Sequence, residues 1–233
     1  MADKLLALQP NVRAIARRNR AFLRRSVLFM LEAGTRQFLD LGSGIPTVGN
    51  VHEVAQEVVP GARVVYVDYE SVAVEHSRLL LEGNDQATVV EADIRRPDDV
   101  LEAEGTRRLL DFTEPIGILA VTLGHYIPDD DDPAALFARY RDAVPAGSHL
   151  ALTHLTNDFA AIRGEEIVET MSRTRDQVFP RTRDQVLELF RGFDLVPPGL
   201  VTTSRWRPDS PDGHATDPGE DGLYAGVGRK PFG

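Results

Sequence analysis

"RQFLDLGSGIPTVGNVHEVAQ", residues 36–56, decides how this chain folds. An apolar run ends in Asp40-Leu41-Gly42-Ser43-Gly44, and an amphipathic stretch follows. Two closely spaced glycines between a strand and a helix let a ligand approach the backbone. A dinucleotide fingerprint would read G-x-G-x-x-G. Gly42 and Gly44 fit it, but Thr47 stands at the third position and the next glycine is Gly49. The absent glycine is the one that lets the first helix pack close to its strand, which weakens a nicotinamide-dinucleotide reading. A phosphate loop of the form G-x-x-x-x-G-K-[ST] does not occur in the sequence.

Outward from this turn the pattern alternates. Upstream, Val12, Ile15, Phe22, Leu23, Val27, Met30 and Leu31 recur at helical spacing from Asn11 to Ala33, and Gly34 stops the run. Arg13, Arg17, Arg20 and Arg24 form a second ridge of that helix, read as a solvated face. Downstream, strands are predicted at 36–41, 62–68, 87–93, within 115–128, and at 148–156. Helices are predicted between them at 50–59, 70–83, 98–110 and 132–144, the last with Asp132 as N-cap and Pro133 at its first position. Strands alternating with helices at this spacing imply a parallel sheet covered on both faces. The last third breaks the rhythm. Helices are predicted at 158–177 and 181–191, a strand with a Pro197-Pro198 interruption at 193–206, a Pro/Gly/Asp-rich loop at 207–222 and a final strand at 223–230. The expected organisation is an N-terminal helical segment, 1–34, and one globular unit, 35–233.

The chain has 233 residues, enough for one α/β unit with a real core. A formal net charge of −10 argues against a general polyanion binder, since phosphate contacts need Lys and Arg. There are no cysteines, which removes disulfides, thiolate metal sites and a thiol nucleophile. No stretch approaches the roughly 20 apolar residues of a membrane span, and arginines interrupt any signal-like run at the N-terminus. The expected location is the cytoplasm, with no membrane partner.

Rossmann-like methyltransferases use a looser motif, an acidic residue near the end of the first strand followed by G-x-G, and "DLGSG" fits it. Two further acids sharpen the case. Asp68 closes the second strand, where a carboxylate accepts from both ribose hydroxyls of either a dinucleotide or S-adenosylmethionine. Asp93 closes the third strand, where a carboxylate accepts from an adenine amine. Each alone reads as a helix-capping acid. Three at consecutive strand ends point to a ligand, because open α/β sheets bind along that edge.

The stretches "NRAFLRRSVLFMLEAGTRQFLDLGSGIPTVGNVHEVAQ", "ARVVYVDYE", "EADIRRPDDVL", "LLDFTEPIGILAV", "HYIPDDDDP", "LFRGFDLVPPGLV" and "YAGVGRK" together resemble an S-adenosylmethionine methyltransferase family of unknown substrate found mainly in actinobacteria. The resemblance runs from about residue 11 to 231. It implies a class I methyltransferase fold, a seven-stranded, mostly parallel sheet with helices on both faces and an antiparallel last strand. It also implies S-adenosylmethionine as cofactor. By the resemblance, Asp40, Gly42 and Gly44 line the methionine end, with Ser43 and His52 beside them. Asp68 with Tyr69 holds the ribose, and Asp93 with Ile94 holds the adenine. Family members commonly carry an N-terminal arm with a Tyr-rich stretch and a Leu-Gly-Gly-Lys segment, and this chain starts downstream of it.

Methyl transfer from a sulfonium is mainly a matter of alignment, with a base near neutrality when the acceptor atom carries a proton. His125 and Tyr126, just after the fourth strand, are the candidate acceptor-side residues. His154 is read as a packed strand-end histidine. The run Asp129–Asp132 is read as helix capping rather than a metal site, because no companion histidines stand at ligand spacing. Trp206 and Phe193 are read as core. The stretch after the fourth strand is "LGHYIP", not the (Asp/Asn/Ser)-Pro-Pro-aromatic signature of nucleic-acid amino methylases. The expected acceptor is a small molecule, with no nucleic acid and with oligomeric state open. Two alternatives stand beside this: a non-catalytic binder of S-adenosylmethionine or its demethylated product, and a nicotinamide-dependent oxidoreductase. The latter lacks a Tyr-x-x-x-Lys pair.

Overall fold

The computed structural model describes residues 12–45, 49–159, 177–210 and 221–232. Thr47, almost all of the helix expected at 158–177 and most of the loop expected at 207–222 lie outside them. The chain opens with α1 (Val12–Glu32) and then alternates: β1 (Gln37–Leu41), α2 (Val51–Val58), β2 (Arg63–Asp68), α3 (Ser71–Leu80) and β3 (Ala87–Glu91). The expected helix over 98–110 is two short ones, α4 (Pro97–Leu101) and α5 (Glu104–Leu109). After β4 (Gly117–Ala120) come two single 3-10 turns, then α6 (Pro133–Ala143), β5 (His149–Leu155) and α7 (Arg183–Glu188). The sheet closes with β6 (Asp194–Leu195), β7 (Val201–Thr202) and β8 (Leu223–Arg229).

The strands run in the order β3-β2-β1-β4-β5-β8-β6, and β7 also pairs with β8. The first five are parallel, and β8 is antiparallel to β5, β6 and β7. The count is eight rather than seven because the expected sixth strand is in two pieces. Val196 N still donates to Val227 O at 2.8 Å, but Pro197 and Pro198 have no N–H to continue the ladder. Pairing resumes at Val201 opposite Ala225.

Both faces of the sheet are covered, and the period of two along each strand assigns the side chains. Leu39, Leu41, Val65, Val67 and Ile118 face one way, toward Val100, Leu109, Phe137 and Tyr140 of α4, α5 and α6. Phe38, Val64 and Tyr66 face the other way, toward Phe22, Val27 and Met30 of α1 and Val51 and Ala55 of α2. Trp206 is fully buried, edge-on to Phe22 and Phe29 of α1, so it is core. Arg25 of α1 is buried and donates to the carbonyls of Thr203 and Trp206, at 2.7 and 2.9 Å. Helix α1 is thus locked to the sheet by packing and by two charge-assisted hydrogen bonds.

His149 on β5 is buried, its Nδ1 3.4 Å from the Thr35 hydroxyl and its Nε2 without a partner among the described residues. Burial pushes its pKa down to about 4, with Arg229 adding to the effect. The unfolded chain takes up this proton near pH 6.5 and the folded one does not. The contribution is therefore complete above pH 6.5 and is lost as pH falls toward 4, on the order of 3 kcal/mol in all. Urea unfolding of His149→Gln between pH 7.5 and 5 should show a slope shallower than wild type by about one proton; an unchanged slope contradicts this.

Candidate active site

The carboxyl ends of β1, β2, β3 and β4 surround one cavity of about 940 Å³. The turn after β1 supplies Gly42, Gly44 and Ile45, and the end of β2 supplies Asp68, Tyr69 and Glu70. Asp93, Ile94 and Arg95 follow β3; Thr122, Leu123, Tyr126 and Pro128 follow β4; Gln177 and Phe179 complete the wall.

The glycines are dictated locally. Both Gly42 and Gly44 sit at φ +65°, where an L side chain is strained. A Cβ on Gly42 would also lie 2.4 Å from Leu123 Cδ1, whereas a Cβ on Gly44 would meet nothing within 4 Å. The backbone at Gly44 therefore faces open space, as a cradle for a ligand requires. Asp68 fixes this turn. Its Oδ2 accepts from Gly44 N at 2.7 Å and its Oδ1 from Glu70 N at 2.9 Å, while Ser43 N donates to Val67 O at 3.0 Å. An ionised carboxylate has about four acceptor positions, so each oxygen of Asp68 keeps one for a ligand hydroxyl.

Asp93 is engaged differently. Arg95 donates to it through its backbone N at 2.9 Å, through Nε at 3.0 Å to each oxygen, and through a terminal nitrogen at 2.6 Å. These bonds come from three N–H groups, the Nε–H being shared between the two oxygens, and hold the Asp93 carboxyl below its usual range. Arg95 also reaches Asp131 at 3.6 Å.

The structure brings together Gly42, Gly44, Asp68, Tyr69, Asp93, Ile94 and Tyr126, and leaves Asp40, Ser43, His52 and His125 off the cavity wall. Asp40 lies one position from Leu39 and Leu41, so it faces the α1 and α2 side with Phe38. It is buried, and burial raises its pKa to about 7, opposed by Arg20 and helped by Asp68. Arg20 is accordingly half-buried and acts on this carboxyl, unlike the solvated Arg13, Arg17 and Arg24. Ser43 contributes its backbone, and its buried hydroxyl has no partner among the described residues. His52 packs edge-on to Tyr66. Its backbone N–H donates to the Tyr66 hydroxyl at 2.9 Å, which leaves that hydroxyl to donate to His52 Nδ1 at 2.8 Å.

His125, expected beside Tyr126 on the acceptor side, is placed off the cavity. It is buried, and its Nδ1 accepts from Leu155 N at 3.3 Å. Desolvation holds its pKa well below the usual imidazole value, with His154 and Arg181 adding to the effect. It lies off the cavity wall, packed against His154. Its neighbour Tyr126 does reach the cavity and is 42% exposed.

What fixes the segment after β4 is a residue that composition and spacing do not reveal. Arg181 is buried and donates to Gly124 O, Ile127 O, Asp129 Oδ1 and His154 Nε2, at 2.6 to 3.0 Å. His154 donates from Nδ1 to Leu155 O at 2.7 Å, and burial lowers its pKa to about 4. Of the four consecutive acids, Asp132 caps α6 by accepting from Ala135 N at 3.0 Å, and Asp129 pairs with Arg181.

A model described as S-adenosyl methyltransferase matches residues 1–231, and the chain belongs to that family. Its cofactor is S-adenosylmethionine. The chain is 39% identical to a candidate methyltransferase of Thermobifida fusca over 99% of this chain and 87% of that one, with a TM-score of 0.93. It is 34% identical to a DUF574 family protein of Streptomyces avermitilis over 98% and 88%, again at TM-score 0.93. The N-methyltransferase NodS of Bradyrhizobium japonicum, crystallised with S-adenosylhomocysteine, covers 91% of this chain and 88% of its own at 11% identity and TM-score 0.53, a likeness of fold alone. No curated protein matches the chain significantly.

Because the folded pKa of Asp40 is about 7 and the unfolded one about 4, its contribution is complete below pH 4 and lost as pH rises through 7. Asp40→Asn should stabilise the chain at pH 8.5 by up to about 4 kcal/mol, read as a higher melting temperature, and the gain should shrink as pH falls and vanish only near pH 4. A gain independent of pH would contradict this account of Asp40.

Proposed function

We propose that this chain transfers the methyl group of S-adenosylmethionine to a small, uncharged acceptor that carries an apolar or aromatic portion. The observation that carries this is the convergence of four strand ends on one cavity whose two sides differ in chemistry. On the β1–β3 side stand the glycine turn, Asp68 and Asp93. On the β4 side, Leu123, Tyr126, Ile127, Pro128, Gln177 and Phe179 carry no charge.

In this proposal Gly42 and Gly44 lie along the methionine half, and Asp68 takes the ribose hydroxyls on its two remaining acceptor positions. Asp93 and Ile94 take the adenine, whose amine competes with the bifurcated Nε–H bond of Arg95. The bound cofactor supplies an electrophilic methyl on a cationic sulfonium. The chain supplies position: a rigid floor at the glycine turn, and a β4-side wall held by Arg181 against which an acceptor is aligned. Among the described residues, three carboxylates against one already paired guanidinium around the cavity suit a cation and disfavour an anionic acceptor. The net charge of −10 supports the same exclusion for nucleic acid. The cavity lies near the upper end of the roughly 300–1,000 Å³ of small-molecule sites, which suits two reactants side by side.

The proposed compartment is the cytoplasm; among the described residues no helix is long and apolar enough to cross a membrane. Residues 35–233 are taken as the methyltransferase unit, with 1–34 as a helical segment that serves it. A second reading, a binder without turnover, is favoured by one observation: among the described residues no histidine lines the cavity. Methyl transfer to an acceptor separates the two.

Titration calorimetry with S-adenosylhomocysteine tests the cofactor placement. Asp68→Ala should lose binding by at least about a hundredfold, the scale of two hydrogen bonds to a charged group, with an unchanged far-ultraviolet spectrum. Retained affinity would remove the ribose assignment.

A further inference from the structure

Thr122 stands at φ +62°, a left-handed conformation that a β-branched residue holds only under constraint. Two hydrogen bonds impose it. Its N–H donates to Thr153 Oγ1 at 2.8 Å, and its hydroxyl accepts from Asn19 Nδ2 at 2.6 Å. Thr122 lines the cavity, and the next residue, Leu123, fills the space where a Gly42 side chain would begin. The strained residue therefore sits beside the glycine turn.

Asn19 lies 103 residues away on α1 and is buried, yet its Oδ1 has no partner among the described residues. A buried amide with one half unmatched is a poor choice for stability, because an unpaired buried acceptor carries its full desolvation cost. Strain and an unmatched buried group meet at one contact, and Thr122 of that pair lines the cavity. Since Thr122 Oγ1 already accepts from Asn19, its own proton is left for another acceptor.

We propose that Asn19 is a positioning residue that sets the Thr122 hydroxyl as a hydrogen-bond donor to the α-carboxylate at the amino-acid end of the cofactor. The inference rests on the cofactor placement proposed above. A neutral donor fits this end of the cavity, because the one guanidinium that lines it among the described residues, Arg95, follows β3 and is committed to Asp93 and Asp131. Helix α1 then completes the cofactor site as well as packing on the sheet.

The test compares two ligands by calorimetry: S-adenosylhomocysteine, and methylthioadenosine, which has the adenosine and sulfur but no amino-acid chain. Asn19→Leu and Thr122→Val should each weaken S-adenosylhomocysteine roughly tenfold, the size of one hydrogen bond to a charged group, and leave methylthioadenosine unchanged. Thr122→Ser should bind as wild type, and the Asn19→Leu/Thr122→Val pair should be no weaker than either alone, because one residue acts through the other. Unchanged S-adenosylhomocysteine affinity in either variant, or an equal loss of both ligands, overturns the inference while leaving the cofactor placement standing. A wild-type chain that binds neither ligand, or an Asp68→Ala variant that loses neither, overturns the placement itself and this inference with it.

Discussion

The strand order reverses at β1, and the site follows from that reversal. The chain builds β2 and β3 on one side of β1, then crosses to lay down β4 and β5 on the other. The connection after β1 leads to α2 on one face of the sheet, and the connection after β4 leads to α6 on the opposite face. Two loops that leave adjacent strands in opposite directions cannot fill the space between them, so a crevice opens at the carboxyl edge. The crevice is a product of topology, which is why sequence on either side of it is free to specialise.

Specialisation is visible in how one residue type is handled three times. Asp40, Asp68 and Asp93 all stand at or near the carboxyl ends of neighbouring strands. Asp68 keeps acceptor capacity because backbone N–H groups take half of it. Asp93 is engaged by three N–H groups of Arg95, one of them shared between its oxygens. Asp40 is turned under α1 and α2, where burial raises its pKa into the physiological range. Environment, rather than residue identity, separates a binding carboxylate from a buried one.

Much of this was legible in the sequence. The glycine turn, the alternation of strands and helices, and the acids at 68 and 93 follow from period and punctuation, and the structure places them on one cavity. Asp40 was expected at the methionine end, but the period of two along β1 turns it away from Leu39 and Leu41, toward α1 and α2. The placement of His125 off the cavity was not legible, because the chain after β4 turns in a 3-10 helix, so adjacent residues point in different directions and Tyr126 rather than His125 meets the cavity. Thr122, Asn19 and Arg181 carry no sequence signal. Their roles depend on contacts across 31 to 103 residues, made only when α1 and the segment at 177–181 dock on the loop after β4.

That docking gives the β4-side wall its rigidity. Arg181 ties the turn to β5 through His154, and its hydrogen bonds reach three consecutive parts of the loop. A methyl donor and an acceptor held against fixed walls need little other help from the protein, because alignment supplies much of the rate. The central claim is that the cofactor lies across the topological crevice with its ribose on Asp68. The most direct measurement is a crystal structure of this chain with S-adenosylhomocysteine. The account predicts density beside Gly42 and Gly44 with both ribose hydroxyls on the Asp68 carboxylate. A ligand bound elsewhere, or an Asp68 carboxylate contacted only by Gly44 and Glu70, would contradict it.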